Sequence, residues 1–288
     1  MLRSLIRLVI RMKINWFYIG EIKGLGRCIR MKAILLAGGK GERAKPFTEF
    51  SPKVMIPIMG KPVIHYNASH LASNNLIDEI IIVCSKESNQ RLQITSYFEG
   101  KEDLFKHKVQ FVEETYEGTA GAILSAAPKL ENEKEFLVWF GDNLVPIDIK
   151  ALYQFHKEKN GIITLAVSSQ KRTETGFVEL SPDKEILKFK EKPTINLKEP
   201  ESLGIYIFKS QMLNFIKESS KEKRNINLSF DILEKLPKQE KLYAYDIKNT
   251  GWMDVESPAK VTRNTKIVED ILKKMDLNSS SEEHPSIK

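Results

Sequence analysis

Short apolar runs alternate with amphipathic helical stretches from Met31 onward, and this alternation limits the possible folds more than any other feature. The apolar runs are residues 33–37, 79–84, 109–112, 136–140, 162–167 and 202–208. A sheet that is covered by helices on both faces buries its strands, which then read as near-continuous apolar segments. The pattern therefore predicts an α/β fold, a three-layer α/β/α sandwich with a mostly parallel sheet.

One segment departs from this alternation. Residues 177–190 read Phe-Val-Glu-Leu, then Ser-Pro-Asp-Lys, then a second run that contains Ile-Leu-Lys-Phe. Two short strands around a Ser-Pro-Asp-Lys turn at residues 181–184 are typical of a β-hairpin. We therefore expect a mixed sheet.

The positive charge is concentrated at the N-terminus. Residues 1–30 carry seven Lys and Arg residues against Glu21 alone, whereas the whole chain has a formal net charge of +7. Because the remainder is near neutral, a general nucleic-acid-binding surface is not indicated. Two interpretations of residues 1–30 stay open: a basic extension upstream of a true start at Met31, outside the fold, or an amphipathic helix on a membrane surface.

Several other classes are excluded by composition. No apolar stretch reaches the roughly 18 to 20 residues of a membrane helix. Two cysteines, Cys28 and Cys84, make neither a disulfide framework nor a zinc-finger set, which favours a reducing cytoplasm. Residues 31–265 are expected to form the domain, and residues 266–288 a helix end followed by a disordered polar tail.

A glycine-rich loop follows the first apolar run. It reads Gly38-Gly39-Lys40-Gly41-Glu42-Arg43, and Ala37 precedes it. Glycines let backbone N–H groups close on an anion without obstruction by Cβ atoms, although a tight strand-to-helix turn would look the same. A Rossmann dinucleotide motif does not fit, because its third glycine is missing, and a Walker A motif lacks its Gly-Lys-Ser/Thr.

The residues after this loop occur in a characteristic order. Pro46, Thr48, Ser51-Pro52-Lys53 and Lys61-Pro62 come first. Further motifs follow at residues 113–122, 141–142, 176–178, 191–193 and 251–254. The ordered series resembles the sugar-1-phosphate nucleotidyltransferase family of archaea and bacteria, over residues 31 to about 260. The resemblance implies a Rossmann-like fold and transfer of a nucleotidyl group to a sugar 1-phosphate, with release of pyrophosphate.

The resemblance also implies roles for individual residues. Arg43 and Lys53 would be catalytic and hold the triphosphate, with Ala37, Gly38, Gly39 and Gly41 lining the nucleotide. Asp142 and Asp254 would bind Mg²⁺, the expected cofactor, since hard oxygen ligands suit that ion. A surface lysine at position 53 and an ordinary turn at Gly141-Asp142 remain the structural alternatives. The five histidines form no metal-binding motif.

On the sugar side, the resemblance assigns contacts with the sugar phosphate to Asp142, Gly176, Glu191, Lys192 and Ser202. Lys192 would grip the phosphate and Glu191 would accept sugar hydroxyls. Lys188, Lys190 and Lys192 also read as one charged face of a strand, and only the family motif selects Lys192. Ser202 stands where relatives commonly have Asn.

The base would be recognised around Glu113, Gly118 and Thr119. Pyrimidine-using relatives have Gln five residues before the glycine, whereas this chain has Glu113 there. A carboxylate only accepts hydrogen bonds, which suits the N–H donors of guanine and repels the oxygens of uracil. Glu113 with Gly118 and Thr119 therefore resembles the guanylyltransferases for mannose or heptose 1-phosphate, and this resemblance implies GTP with one of these sugar phosphates. A solvated loop acid at position 113, or a shifted loop that brings in Gln110, is the alternative.

Two departures from the motif keep other functions open. Glu42 replaces the family threonine and adds a carboxylate near a polyanion, and Ala44 replaces leucine. The alternatives are a dTTP- or UTP-dependent enzyme for glucose 1-phosphate and a non-catalytic nucleotide-sugar-binding regulatory subunit. Retention of Lys53, Asp142, Lys192 and Asp254 together favours catalysis. No nucleic-acid or membrane partner is expected, the expected location is the cytoplasm, and a homo-oligomer is compatible with the sequence.

Overall fold

The fold is described from a computed structural model, which describes residues 30–39, 41–248 and 251–275. Residues 31 onward form one unit. The other unit, Met1–Arg30, lies outside the described residues except for Arg30. The predicted polar tail from residue 277 also lies outside them. Within the described ranges, no helix is long and apolar enough to span a bilayer.

Strands and helices alternate along the chain as the sequence predicts. The strands are β1 (Met31–Leu36), β2 (Pro57–Ile58), β3 (Lys61–Pro62), β4 (Ile77–Cys84), β5 (Val109–Glu113), β6 (Glu135–Phe140), β7 (Asn143–Leu144), β8 (Ile163–Arg172), β9 (Phe177–Leu180), β10 (Ile186–Lys190), β11 (Thr194–Lys209), β12 (Leu242–Asp246) and β13 (Met253–Asp254). The α-helices are α1 (Val63–Ser73), α2 (Ser88–Phe98), α3 (Gly118–Ser125), α4 (Ile149–Lys159), α5 (Met212–Glu222), α6 (Pro258–Arg263) and α7 (Thr265–Lys274).

Seven strands form the central sheet in the order β12-β8-β11-β6-β1-β4-β5. Strand β1 is parallel to both β4 and β6, and β4 is parallel to β5. Strand β11 runs antiparallel to both of its neighbours, β6 and β8, and β12 is parallel to β8. The predicted mixed, mostly parallel sheet is confirmed.

The two faces of the sheet carry separate apolar cores. In β1, Ala33 and Leu35 join the core that contains the buried residues of α1, α2 and α4. Ile34 and Leu36 point the other way and join the core formed with α3 and α5. This alternation is the period-2 pattern of a strand that is buried on both sides. It confirms the predicted three-layer, Rossmann-like sandwich.

The order of strands in the sheet changes sides at β1. From β1 it adds β4 and β5 on one side, then crosses back to place β6 on the other side of β1. In open α/β sheets, ligands bind where the loops after two such strands separate. Here the Gly141 N–H donates to the Leu36 carbonyl at 2.9 Å, which ties the loop after β6 to the loop after β1.

The predicted hairpin forms, but it stands apart from the central sheet. Among the described strands, β9 and β10 pair only with each other, in an antiparallel ribbon. Two other strands differ from the sequence expectation. Strand β11 begins at Thr194 rather than near residue 202, and β12 was not predicted. Strand β12 is a short edge strand whose side chains are half-buried or exposed, so its apolar signal is weak.

The C-terminal helices close a third, smaller core. Val268, Ile271 and Leu272 of α7 are buried against Ile56, Ile58 and Val255. Helix α7 runs on to Lys274, which carries the packed structure beyond residue 265. This core lies behind the loop that follows the glycines and behind β13, so it supports both.

Candidate active site

The glycine loop has backbone angles that side chains rarely adopt. Gly39 has φ +103° and Gly41 has φ +58°. A Cβ atom on Gly41 would also lie 2.6 Å from Thr48 Cγ2, and the Thr48 hydroxyl donates to the Gly41 carbonyl at 2.9 Å. Both positions favour glycine for its conformation, and Gly41 also for space. The loop therefore brings its backbone to the mouth of the β1–β6 crevice.

Arg43 lies on the short helical turn Glu42–Ala44 that follows the loop. Its side chain is 75% exposed and pairs with Glu256 at 2.8 Å. Burial would raise the pKa of Glu256, but the charges of Lys260 and Arg43 hold it below its ordinary value. Glu42, the departure from the family motif, pairs with Lys45 at 2.6 Å.

Three side chains meet where the two loops join, and we call this group the aspartate corner: Lys53, Asp142 and Asp254. The Lys53 ammonium lies 2.6 Å from Asp142 Oδ2 and 3.2 Å from Asp254 Oδ1. Burial would lower the pKa of Lys53, but its contacts with the two carboxylates raise it above the ordinary lysine value. Lys53 is therefore not the solvated surface lysine of the structural alternative; its side chain is 13% exposed.

Backbone pairing places the two aspartates side by side. Asp142 follows β6, and the next residue, Asn143, pairs with Asp254 in the antiparallel β7–β13 ladder. The Val255 N–H donates to the Asp142 carbonyl at 2.9 Å. Two residues that lie more than a hundred positions apart in the sequence are thereby fixed in one corner.

The aspartate corner fits a divalent cation. Both carboxylates reach the same ammonium group, so both can reach one metal ion at about that position. The ranges that the structure describes contain no cluster of three or more His, Cys, Asp or Glu side chains able to hold a metal. Two carboxylates, completed by phosphate and water oxygens, form the donor set that Mg²⁺ commonly uses.

The two acids at the end of β5 point in different directions. Glu113 is half-exposed and forms an ion pair with Arg91. Glu114 turns the other way, and a Cβ atom on Gly38 would overlap its carboxylate. Burial raises the pKa of Glu114, and the charge of Lys86 partly opposes this shift. The carboxylate that lies against the glycine loop is therefore Glu114, which was not selected from the sequence.

Gly118 and Thr119 begin helix α3 and pack against the segment that follows α5. Gly118 has φ +83°, and a Cβ atom there would lie 2.4 Å from the Ile226 carbonyl oxygen. The Thr119 hydroxyl accepts a hydrogen bond from the Leu228 N–H at 2.8 Å. These contacts fix the start of α3 beside the end of β5.

Of the predicted sugar-side residues, Asp142 lies in the aspartate corner, whereas the other four do not. A cavity of about 1300 Å³ adjoins the corner and is lined by Arg43, Asp254, Lys171 and Trp252, among others. The cavity lining includes neither Gly176 nor Glu191, and Lys192 lines a separate neighbouring cavity of about 490 Å³.

Gly176, Glu191 and Lys192 lie at the base of the exposed hairpin, where the Glu191 carboxylate is close to Gly176. Ser202 lies in β11, and its hydroxyl accepts from the Gly204 N–H at 3.3 Å. The structure therefore brings Arg43, Lys53, Asp142 and Asp254 to one crevice. Phe177, at the start of the hairpin, lines the adjoining cavity, but Gly176, Glu191 and Lys192 do not.

Glu256 was also missed in the sequence. It lies two residues after Asp254, and its N–H donates to the Asp254 carbonyl at 2.9 Å in a tight turn. This closeness in sequence to a predicted metal ligand was a usable signal.

The sheet order, the crevice at the strand ends and the glycine loop define an α/β nucleotide-binding protein. Residues 32–270 match the model of the family described as "Nucleotidyl transferase". The chain belongs to this family, as its sequence motifs predict.

Individual relatives agree with this assignment. The chain is 30% identical over 260 residues to the bifunctional protein GlmU of Methanocaldococcus jannaschii, covering 90% of this chain and 59% of that protein. It is 31% identical over 243 residues to the glucose-1-phosphate adenylyltransferase of Clostridium novyi, covering 78% and 63%. The chain thus spans about three-fifths of the length of these relatives.

A solved structure shares the fold. HddC from Yersinia pseudotuberculosis, complexed with GMP-PN, superposes with a TM-score of 0.59 at 21% identity and covers 86% of this chain and 99% of that one. At this identity the likeness concerns the fold alone.

Proposed function

We propose that the chain is a Mg²⁺-dependent sugar-1-phosphate nucleotidyltransferase that uses GTP and mannose or heptose 1-phosphate. The observation that carries the proposal is the aspartate corner, in which Lys53 bridges Asp142 and Asp254 at the mouth of the crevice below the glycine loop. Two carboxylates and a cation beside a phosphate-binding loop are the parts that phosphoryl chemistry needs.

The reaction needs positioning more than acid–base chemistry. An oxygen of the sugar 1-phosphate forms a bond to the α-phosphorus of the nucleoside triphosphate. The bond from that phosphorus to the bridging oxygen breaks, and pyrophosphate leaves with the electron pair. Because the attacking oxygen carries no proton once the phosphate is doubly ionised, no general base is required. The protein must hold two polyanions in line and neutralise their charge.

Lys53 and Arg43 supply the positive charge on the nucleotide side. A lysine is protonated at neutral pH, so Lys53 brings a positive charge to the α-phosphate when the metal ion takes its place between the two carboxylates. Arg43 is mostly exposed on the loop, where an ion pair is worth about 1 kcal/mol or less, so a triphosphate can displace Glu256 from it. Asp142 and Asp254 would hold the Mg²⁺ ion, whose charge neutralises both phosphates.

The sugar phosphate would occupy the cavity of about 1300 Å³ beside Asp254. Gly176, Glu191 and Lys192 contact it only if the hairpin moves toward the crevice. A two-stranded ribbon with no further strand partner costs little to shift, and substrate binding provides the driving force. Ser202 keeps its family role on β11, which is part of the central sheet.

The preference for guanine rests on the acids at the end of β5. We place the base-reading carboxylate at Glu114, because it faces Gly38, whereas Arg91 holds Glu113. An ionised carboxylate accepts from the N1–H and N2–H₂ donors of guanine. HddC, which shares the fold, is complexed with GMP-PN, while the Clostridium novyi relative is named for adenylyl transfer. The comparisons therefore leave the choice of base to experiment.

The test is pyrophosphate release by the full chain with Mg²⁺. GTP, dTTP, UTP, CTP and ATP are each paired with mannose, glucose and heptose 1-phosphates. Release restricted to GTP supports the complete proposal. Preference for dTTP or UTP keeps the enzyme class and overturns the guanine assignment. No release with any pair, while nucleotide still binds, favours a non-catalytic regulatory subunit.

Glu114→Gln and Glu113→Gln separate the two acids. Each exchange removes one charge at nearly constant volume. We expect Glu114→Gln to raise the KM for GTP roughly 10- to 100-fold, because a charged acceptor loses its partner donors, and Glu113→Gln to change it less than about twofold. Steady-state kinetics with GTP measure both. The reverse order of effects would return the role to Glu113.

A further inference from the structure

Helix α1 carries a fully buried asparagine that contacts the backbone next to the aspartate corner. Asn67 has 0% exposure, and its side-chain amide donates to the Gly141 carbonyl at 2.9 Å. Gly141 immediately precedes Asp142. The contact therefore joins a helix of the outer layer to the backbone that carries a corner aspartate.

The other half of the Asn67 amide has no partner among the described residues. Its Oδ1 atom is buried without a hydrogen bond. A buried polar atom left without a partner costs at least as much free energy as the bond to Gly141 contributes. An apolar residue of the same shape would remove this unpaired oxygen but would leave the Gly141 carbonyl without its side-chain donor, so the two changes in stability largely offset each other. The net stability of the fold does not explain the asparagine at this position.

The backbone around Asp142 is held from three directions. The Gly141 N–H donates to Leu36, the Asp142 carbonyl accepts from Val255, and the Gly141 carbonyl accepts from Asn67. A Cβ atom on Gly141 would lie 2.5 Å from the Leu36 carbonyl oxygen, so the strands approach closely there. The first two contacts are backbone bonds, and Asn67 supplies the side-chain bond that fixes the Gly141–Asp142 peptide plane.

We propose that Asn67 is a positioning residue for Asp142: its amide fixes the Gly141–Asp142 peptide and thereby the direction of the Asp142 carboxylate toward Lys53 and the metal. The proposal rests on the proposed function, since it assumes that Asp142 binds a divalent cation. Groups that orient a metal ligand typically contribute 10- to 100-fold to metal affinity.

Asn67→Leu tests the role, because leucine has nearly the same shape but cannot donate. Mn²⁺ serves as the probe, and its binding to the full chain is measured by electron paramagnetic resonance, with thermal unfolding in parallel. We expect Mn²⁺ affinity to fall about tenfold while the unfolding midpoint changes by only a few degrees. Pyrophosphate release should need correspondingly more Mg²⁺, with the KM for GTP nearly unchanged.

Two controls separate positioning from packing. Ser69→Ala removes another buried side-chain oxygen without a partner from the same helix. Ile94→Val weakens the core under α2 by removing one buried methyl group. Both should bind Mn²⁺ like the wild type.

If Asn67→Leu does not fold, Asn67→Ala removes both polar atoms of the amide without adding volume, and its Mn²⁺ affinity should fall as far. If a folded Asn67 variant binds Mn²⁺ as tightly as the wild type, the positioning role of Asn67 is wrong, while the metal site itself stands. If the wild-type chain binds no Mn²⁺, the proposed metal site is wrong, and the positioning role of Asn67 falls with it.

Discussion

The aspartate corner and the hairpin formed by β9 and β10 carry the two halves of the proposed site, and they are built in opposite ways. In the corner, Lys53 contacts both aspartates, and the backbone around Asp142 is bonded on three sides. In the hairpin, Ile186 and Phe189 are 60% and 62% exposed, and the two strands pair only with each other. The side chains proposed to act on the phosphates are already in contact with each other, whereas those proposed to bind the sugar phosphate from the hairpin do not line the crevice.

This difference separates two tasks of the proposed site: stabilising charge in the transition state and selecting the substrate. Groups that stabilise charge in the transition state gain most from a fixed geometry, because no reorganisation is needed during the reaction. Groups that select a substrate can be brought in by binding. We therefore expect changes in the corner to lower kcat and changes in the hairpin to raise KM.

Asp142→Asn should give the largest effect. The exchange removes a charged metal ligand at constant shape, and we expect kcat to fall about a thousandfold, with Mn²⁺ affinity reduced. Rates of pyrophosphate release at saturating substrates measure the change.

The matched control is Asp148→Asn, which has the same charge change six residues away. Asp148 caps helix α4 by accepting from the Ala151 N–H at 2.9 Å, and asparagine caps helices equally well. Its activity should equal that of the wild type. An Asp142→Asn variant with wild-type kcat would contradict the account of the corner.

Acid should weaken the layer beneath the corner. His65 is buried on α1, where burial first, and then the charges of Lys61 and Lys101, lower its pKa to about 4. The unfolded chain binds this proton near pH 6.5, so stability is present above that pH and is lost as the pH falls toward about 4. We expect a loss of roughly 2 kcal/mol between pH 7 and pH 5.

Urea unfolding at the two pH values measures this loss. His65→Gln should remove most of the difference, whereas His107→Gln, at an exposed position, should leave it unchanged. An unaltered difference in His65→Gln would show that other groups cause it.

Lys192→Gln should give a smaller effect, on KM rather than on kcat. Loss of a charged donor to the sugar phosphate should raise the KM for that substrate roughly tenfold, with kcat and the KM for GTP nearly unchanged. Lys188→Gln makes the same charge change within the hairpin and should have no such effect. A fall in kcat as large as that of Asp142→Asn would remove the contrast between the two regions.

Much of the fold follows from the sequence. The buried strands β1, β4 and β6 are long apolar runs, so their type and order along the chain are readable. Strand β12 was missed because an edge strand buries few side chains. The glycine loop was found because Gly39 and Gly41 need conformations that only glycine adopts readily.

The site is less readable, because its contacts join distant parts of the chain. Asp142 could be placed at a strand end from local sequence, but its approach to Asp254 depends on the pairing of β7 with β13. Glu113 and Glu114 are indistinguishable until strand β5 sets which side chain faces Gly38. Asn67 could not be found without the packing of α1 against Gly141.

The aspartate corner is proposed to catalyse transfer of a nucleotidyl group from GTP to a sugar 1-phosphate. The most direct measurement follows pyrophosphate and nucleotide sugar together, using the full chain with GTP, mannose 1-phosphate and Mg²⁺ and omitting each in turn. We expect equal amounts of pyrophosphate and nucleotide sugar, and only when GTP, mannose 1-phosphate and Mg²⁺ are all present. Pyrophosphate release without the sugar phosphate, or no product with any nucleotide that binds, would contradict it.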